Sequence, residues 1–408
     1  MEIWAPQSAE ETAEAVAAAV AAGTPMELIG FGSKRGLGRP VTAEVTLDLS
    51  GLTGVVDYQP EELVLTVNPG TRVAEVEALL EGRRQMLAFE PPDFGPLWGA
   101  PTGMGSIGGC VLAGRGGSRR LSAGGPRDHC LGVKAVNGLG APFGAGGRVV
   151  KNVTGFDLTK LVAGSFGTLC AVTELTLKVL PAPEETWTLV LAGLSAEAAV
   201  QAMVLALGSP AQVSSAAHLP ADVASGSKVA AVAALGASVT LIRLEGVPVS
   251  VAARAEHLRG LLAGAPISVL DQAQSKVVWK EISDAAYFAG AGEAVIWKLS
   301  VPPMLGPVVA ARATEAVGGR AFFDWGGGGV WLELPPAEDA HAAALRAIMR
   351  AATRVDGHAT LFRAPASVRA AVPPFEPLAP AAEALSRRVQ AQFDPDGLFN
   401  RGRMYEAG

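Results

Sequence analysis

Two glycine-dense segments are places where backbone rather than side chain can do the chemistry. Gly30-Phe31-Gly32-Ser33-Lys34-Arg35-Gly36 combines three glycines with a hydroxyl and two cations, and Thr102-Gly103-Met104-Gly105-Ser106-Ile107-Gly108-Gly109 repeats the theme with two hydroxyls. Without a Cβ, backbone N–H groups can approach a ligand closely, and a concave row of such donors binds anions. Ser33, Thr102 and Ser106 add hydroxyl donors and Lys34 adds a positive charge, a set suited to a pyrophosphate. Tight turns in a loop-rich sheet protein use the same residue types. Either segment alone has that architectural explanation; the pair favours a diphosphate ligand.

Gly103 to Gly108 formally matches the dinucleotide fingerprint G-x-G-x-x-G, with Asp128 twenty residues further on. The context opposes a Rossmann unit. Pro91, Pro92, Pro96 and Pro101 lie where a strand is required, and Gly114, Gly116 and Gly117 interrupt the long helix that should follow. No G-x-x-x-x-G-K-[ST] loop is present. His129, His218, His257 and His341 are isolated, so none reads as a catalytic base. Cys110, Cys130 and Cys170 are too widely spaced to build an iron–sulfur or zinc site; no metal is expected, and the thiols read as reduced in a cytoplasmic protein.

These residues must be positioned by elements the pattern predicts. Ser8 with Glu11 forms a capping box for a helix that stops at Gly23, and a strand over 26–29 empties into the first glycine loop. Strands are expected over 45–49, 55–58 and 63–67, and Thr71 caps a helix to Glu81. Residues 94–167 are glycine-dense yet carry an apolar strand over 131–136, and a β-branched strand over 169–179 follows. Pro181-Ala182-Pro183 marks a boundary. Beyond it, strands near 187–191, 239–244, 295–301 and 358–363 alternate with helices near 196–207, 251–262, 308–317 and 338–352, with a hairpin over 321–334. This pattern predicts an antiparallel sheet backed by helices on one face, an α+β arrangement. A last helix over 381–392 precedes a polar tail. The expected division is 1–180, 184–380 and 381–408, the last returning toward the first.

The composition agrees with a globular chain. Of 408 residues, 49% are hydrophobic and 18% charged, and the net charge of −6 without a basic cluster argues against nucleic acid. The N-terminal residues show no apolar leader, and the longest uncharged apolar stretch, 229–242, is shorter than the ~20 residues a membrane span needs.

Several stretches in order resemble the vanillyl-alcohol-oxidase/p-cresol-methylhydroxylase (PCMH) class of flavoproteins. They are Gly30-Phe31-Gly32-Ser33, the Thr102 loop, Gly125-Pro126-Arg127-Asp128-His129-Cys130-Leu131-Gly132, Gly147-Arg148-Val149-Val150-Lys151-Asn152-Val153-Thr154-Gly155-Phe156-Asp157, Gly164-Ser165-Phe166-Gly167-Thr168-Leu169, and Phe393-Asp394-Pro395-Asp396-Gly397-Leu398-Phe399-Asn400. Within the class, Trp297-Lys298-Leu299-Ser300-Val301-Pro302-Pro303 and Gly357-His358-Ala359-Thr360-Leu361-Phe362-Arg363 resemble the FAD-binding E-subunit family of glycolate oxidases.

The resemblance implies a two-subdomain PCMH-type FAD-binding domain followed by a smaller α+β domain. It implies non-covalent FAD, with Gly30, Phe31, Gly32, Ser33, Lys34, Thr102, Gly103, Gly105, Ser106, Gly108 and Gly109 around the pyrophosphate. Gly125, Arg127 and Asp128 would fix the second loop, Arg127 pairing with Asp128. Gly164, Gly167, Thr168 and Val172 would pass beside the rings, and Asn400 would complete the site from the tail. Lys151 and Asn152 would approach the flavin or a partner, a solvated lysine being the plainer reading. The implied partners are a larger FAD-binding subunit, an iron–sulfur subunit and a small 2-hydroxy acid; the implied location is cytoplasmic, with peripheral membrane association through those partners. Two features depart from the pattern: Arg401 stands where the family's tail has proline, and the oxidising subunit's His-x-Gly-Asp-Gly-Asn-x-His block is reduced to Asp356-Gly357-His358. A self-sufficient flavin oxidase of another hydroxy acid or alcohol, and a structural subunit with a degenerate flavin site, are the alternative readings.

Overall fold

The Ser8 side chain accepts from Glu11 N and opens helix Ala9–Ala22, which ends at Gly23 in the left-handed region. That helix covers a parallel three-stranded sheet in the order Glu2–Trp4, Val45–Asp48, Met26–Ile29, burying Val16 and Ala19 against Met26, Val45, Leu47 and Phe399. The computed structural model describes residues 2–148, 155–264, 266–290, 292–354 and 357–406. Residues 149–154, with Lys151 and Asn152 among them, and Asp356 lie outside those described.

Beside the parallel sheet stands an antiparallel one in the order Val55–Gln59, Val64–Val67, Cys170–Lys178, Cys130–Asn137, Pro142–Gly146. Its apolar face packs on helices Val73–Glu81 and Ile107–Ala113 through Val76, Leu80, Ile107 and Val111. The first of these helices begins after Arg72, not Thr71. The Thr71 hydroxyl is spent on Asn68 O (2.8 Å) and on the backbone of Gly54, so Thr71 fixes the preceding turn rather than the helix.

The second half is an eight-stranded antiparallel sheet: Ile267–Leu270, Glu185–Ala192, Val239–Gly246, Ser215–Leu219, Arg320–Asp324, Gly329–Leu334, Val295–Ser300, His358–Arg363. Strand alternation splits its residues between two cores. Leu189, Ile242, Trp297, Val330 and Leu361 face helices Ala196–Leu207, Pro248–Leu261, Gly306–Val317 and Ala342–Thr353. Val190, Leu241, Ile296, Phe322, Trp331 and Phe362 face the other way, against helix Gln272–Ser283 and against Leu37, Phe94 and Leu97 of the first half. Helices therefore lie on both faces, correcting the one-face expectation. The predicted helix near 338–352 starts later because Ala340 and His341 hold positive φ. Among the described residues no helix is long and apolar enough to cross a membrane.

The two halves meet through rings and charges. Phe94 sits edge-on to Phe362 at 5.0 Å between centroids and 5.9 Å from Trp331. Glu90 receives Arg243 Nη1 at 2.6 Å and Arg243 Nη2 at 3.1 Å, while the Arg119 backbone N–H donates to it at 2.7 Å. The Arg119 side chain pairs in turn with Glu245, its Nε donating at 2.9 Å. Burial alone would push both carboxyls up, but the neighbouring arginines reverse this: Glu90 lies below its ordinary value and Glu245 falls to about 2.

Removing one member of such a buried set leaves an uncompensated charge, a loss of about 3–5 kcal/mol. Arg243→Met is therefore expected to destabilise the chain by that amount in equilibrium denaturation. Because the carboxyls are depressed in the fold, their contribution is complete above their ordinary value of 4.5 and fades as pH falls toward about 2. Melting temperatures across that window should drop less steeply for Glu245→Gln than for the parent chain.

Candidate functional site

Strand Met26–Ile29 runs into the first glycine loop, where the N–H groups of Gly30, Phe31, Gly32, Ser33 and Lys34 meet no acceptor among the described residues. Arg35 N closes the turn on Gly32 O at 3.0 Å, with Gly32 at φ +71°. Five successive donors left open at a strand end form an anion-receiving surface. Arg35 borders the same cleft, its guanidinium paired with the buried Glu27.

The second loop lies directly opposite. A Cβ on Gly30 would sit 2.6 Å from Ser106 Oγ, and one on Gly105 would sit 3.6 Å from Lys34 Nζ and 3.9 Å from Ser33 Oγ. Gly30, Gly32, Lys34, Ser106, Gly108, Gly109, Gly167, Val172 and Asn400 line one cleft of about 100 Å³. Segments distant in sequence thus converge as expected. Their donors do not contribute equally, however: Ile107 N bonds Thr71 O and Gly108 N bonds Pro69 O, both at 2.9 Å, and Gly109 N bonds Ser106 Oγ at 3.2 Å. Gly108 lacks a side chain for packing, since a Cβ there would lie 2.6 Å from that of Pro69. Thr102 and Gly103 are exposed and do not line the cleft; Gly103 N is taken by Asp93 at 2.7 Å. Phe31 lies under the Arg72 guanidinium, 4.1 Å from its ring centre.

A cleft of that size is below the roughly 300–1,000 Å³ typical of ligand sites. It shares walls at Ala113 and Phe166 with a cavity of about 420 Å³ that includes Gly125, Arg127, Asp128 and Gly164. This in turn shares Gly114, Arg115 and Arg120 with a third, of about 210 Å³, against the large sheet. Together they make an elongated tract suited to an extended cofactor. Arg127 and Asp128 do not pair with one another: Arg127 Nε donates to Lys160 O at 3.1 Å, and Asp128 accepts from Gly125 N at 2.8 Å, so each fixes a turn separately. Gly164 and Thr168 also border a groove of about 810 Å³ beneath helix Pro380–Phe393.

Asn400 is a clamp as well as a wall. Its side chain accepts from Leu28 N at 2.9 Å and donates to Phe166 O at 2.7 Å, and Asp394 receives Leu398 N and Phe399 N at 2.9 and 2.8 Å. The Arg401 substitution leaves this return intact, because the tail is held by Asp394 and Asn400 on either side of the turn. His129 and His218 are core histidines, bonded to Ala123 O and Lys178 O and to Thr240 Oγ1 respectively; burial pushes both down, His218 to about 4. Burial pushes the Cys110 and Cys130 thiols up to about 11 and Cys170, which borders the first cleft, up to about 12. Among the described residues no three His, Cys, Asp or Glu side chains form a metal-holding group.

The sequence reading missed Arg115 and Lys298, both on the third cavity. Their signal was available for Lys298: in Ile296-Trp297-Lys298-Leu299-Ser300 a lysine occupies the same strand face as Ile296, a buried position. Burial lowers Lys298 and raises its neighbour Asp324.

A family model described as an FAD binding domain matches residues 3–144. The chain is 33% identical to the glycolate oxidase subunit GlcE of Escherichia coli (strain K12), covering 96% of each protein. It is also 33% identical to the glycolate oxidase subunit GlcD of Bacillus subtilis (strain 168), over 40% of this chain and 33% of that one. The crystal structure of p-cresol methylhydroxylase with substrate bound shares the fold at a TM-score of 0.73 and 14% identity, over 99% of this chain and 88% of that one.

Asn400→Ala should strip two backbone groups of their partners and cost about 1–3 kcal/mol. Limited proteolysis is expected to cut the variant's tail after residue 393 well before the parent's.

Proposed function

The chain belongs to the family of the glycolate oxidase subunit GlcE, and from that premise we propose that it is an FAD-holding subunit of a multi-subunit enzyme oxidising glycolate or a similar 2-hydroxy acid. The observation that carries this reading is the run of N–H groups from Gly30 to Lys34 without acceptors among the described residues, on a loop that meets Ser106 at a cleft. The match of residues 3–144 to an FAD binding domain supports this reading over that of a subunit with a degenerate flavin site.

FAD fits these residues. The first loop's N–H groups, with the Ser33 hydroxyl and the Lys34 ammonium, would hold the pyrophosphate; Ser106 would close it from the opposite side while capping its own helix. Gly167 and Val172 would bound the tract beside the rings, and Asn400 would lock Phe166 and Leu28 in place behind it. When bound, FAD supplies two-electron redox chemistry, and the protein supplies orientation and electrostatics. Attachment is non-covalent: the Cys170 thiol at the cleft stays protonated at neutral pH and is a poor nucleophile.

The second half covers the tract from the sheet side, where Trp331 and Phe362 pack against Phe94 of the first half to make an apolar wall. The partners in this reading are a larger FAD-binding subunit of the GlcD kind and an iron–sulfur subunit, the assembly being cytoplasmic and attached to a membrane only through partners. Three buried cysteines cannot pass electrons onward through a cluster.

The purified chain is expected to carry FAD that acid precipitation releases into the supernatant; flavin left in the pellet would overturn non-covalent binding. Gly32→Val, which forces a β-branched residue to φ +71°, should deplete flavin while leaving the large sheet's melting transition in place. Glycolate turnover with an artificial acceptor should be low for the chain alone and rise when the two partner subunits are added.

A further inference from the structure

The third cavity, of about 210 Å³, lies between Arg115 of the glycine-rich half and the sheet face that carries Lys298. On neighbouring strands Lys298 is the register partner of Thr360 and of Trp331, and Ser300 that of His358, so these side chains share one face. Lys298 is only 9% exposed, yet its Nζ makes no hydrogen bond or ion pair with any described residue. It lies 3.7 Å from the Trp325 ring centre and 4.7 Å from that of Trp331. The nearest opposing charge, Asp324, is engaged elsewhere, accepting from Ser118 Oγ at 3.0 Å and from Trp325 N at 2.7 Å.

Arg115 repeats the pattern. Its guanidinium rests against Phe362 and Phe166 at 5.4 and 6.0 Å, and its buried Nε has no acceptor. Arg120, 5.5 Å from the Trp325 ring centre, is a third cation on the same wall, and no described residue lining the cavity is acidic. Buried cations are retained when something pairs with them. Here the cavity lining supplies hydroxyls, at Ser300 and Thr360, but no carboxylate, and Asp324 acts on Lys298 as a nearby charge without forming an ion pair.

We propose that this cavity is a binding site for a small 2-hydroxy monocarboxylate, with Lys298 and Arg115 holding the carboxylate and Ser300, Thr360 and His358 placed to meet the hydroxyl. The choice of ligand rests on the hydroxy-acid reading above; the site itself rests on the unpaired cations. Protonated Lys298 is the binding form, so affinity falls as pH rises. The charged groups facing it are Asp324, two strands away in the same sheet, and Arg115 and Arg120 from across the cavity, with His358 at the rim.

Isothermal titration of the full FAD-loaded chain with glycolate tests this, with ethylene glycol and inorganic phosphate as neutral and non-carboxylate probes. Glycolate should bind, ethylene glycol should not, and phosphate should bind at least tenfold more weakly. Lys298→Met should weaken glycolate about 10- to 100-fold and flatten the pH dependence, with flavin content unchanged. Should that variant fail to fold, the exposed Arg120→Gln is expected to weaken glycolate several-fold. A flavin-loaded chain that binds no glycolate, or binds phosphate equally well, overturns the proposal. So does a Lys298→Met variant that binds like the parent or loses flavin in step with glycolate. A chain purified without FAD would count against the cofactor reading alone, and glycolate titration of that chain would still decide the cavity.

Discussion

Glu90 is the hinge on which the architecture depends. It stands in a left-handed backbone position on the glycine-rich half and is met by Arg243 from the large sheet and Arg119 from its own side. A carboxylate shared by two guanidiniums is directional in a way an apolar contact is not. The sheet can therefore settle over the glycine-rich half in one register, with Phe94 packed against both Trp331 and Phe362. The second and third cavities inherit their alignment from that docking, because both have walls from the two halves, and the first is closed by the tail. Arg243 also stacks 4.7 Å from the Trp279 ring centre, which joins helix Gln272–Ser283 to the same anchor.

Within the first half, glycines that look equivalent in sequence divide the work. Gly32 supplies a backbone turn, whereas Gly108 lets a helix lie on Pro69. The helix after the second loop spends its first donors on Thr71 O, Pro69 O and Ser106 Oγ, so the loop is rigid before any ligand arrives. The first loop keeps its donors open. One rigid wall and one receptive wall is an economical way to orient an extended anionic cofactor.

Much of this was legible in the sequence where local rules and tertiary demand agree. Helix 196–207 follows from its capping serine and apolar spacing and is found as Ala196–Leu207; the convergence of the two glycine loops follows from their donor content. Strand Ser215–Leu219 escaped because Ser-Ala-Ala-His-Leu is buried on both faces and shows no alternation. Helix Gln272–Ser283 escaped although Asp271 and Gln274 form a capping box that announces it. Thr71 misled because its hydroxyl had a better partner in the turn behind it, a choice decided by long-range geometry. The Arg127–Asp128 pairing failed likewise: adjacent residues on a short helical turn point apart, and each found backbone instead. Lys298 was passed over although its alternation with the buried Ile296 signals an inward face, because only the sheet shows that its strand is flanked on both sides.

The return of the tail to the first sheet has a consequence for synthesis. Asn400 and Arg403 are walls of the first cleft, and the bridge from Phe399 to Met26 ties the tail to a strand made hundreds of residues earlier. The glycine loops emerge from the ribosome hundreds of residues before the wall that completes their cleft. At about 5–20 residues per second, that interval lasts tens of seconds. During that time the receptive loop is exposed and one side of its cleft is open, so cofactor capture is timed to the emergence of the tail rather than to the folding of the segment that contains the glycines.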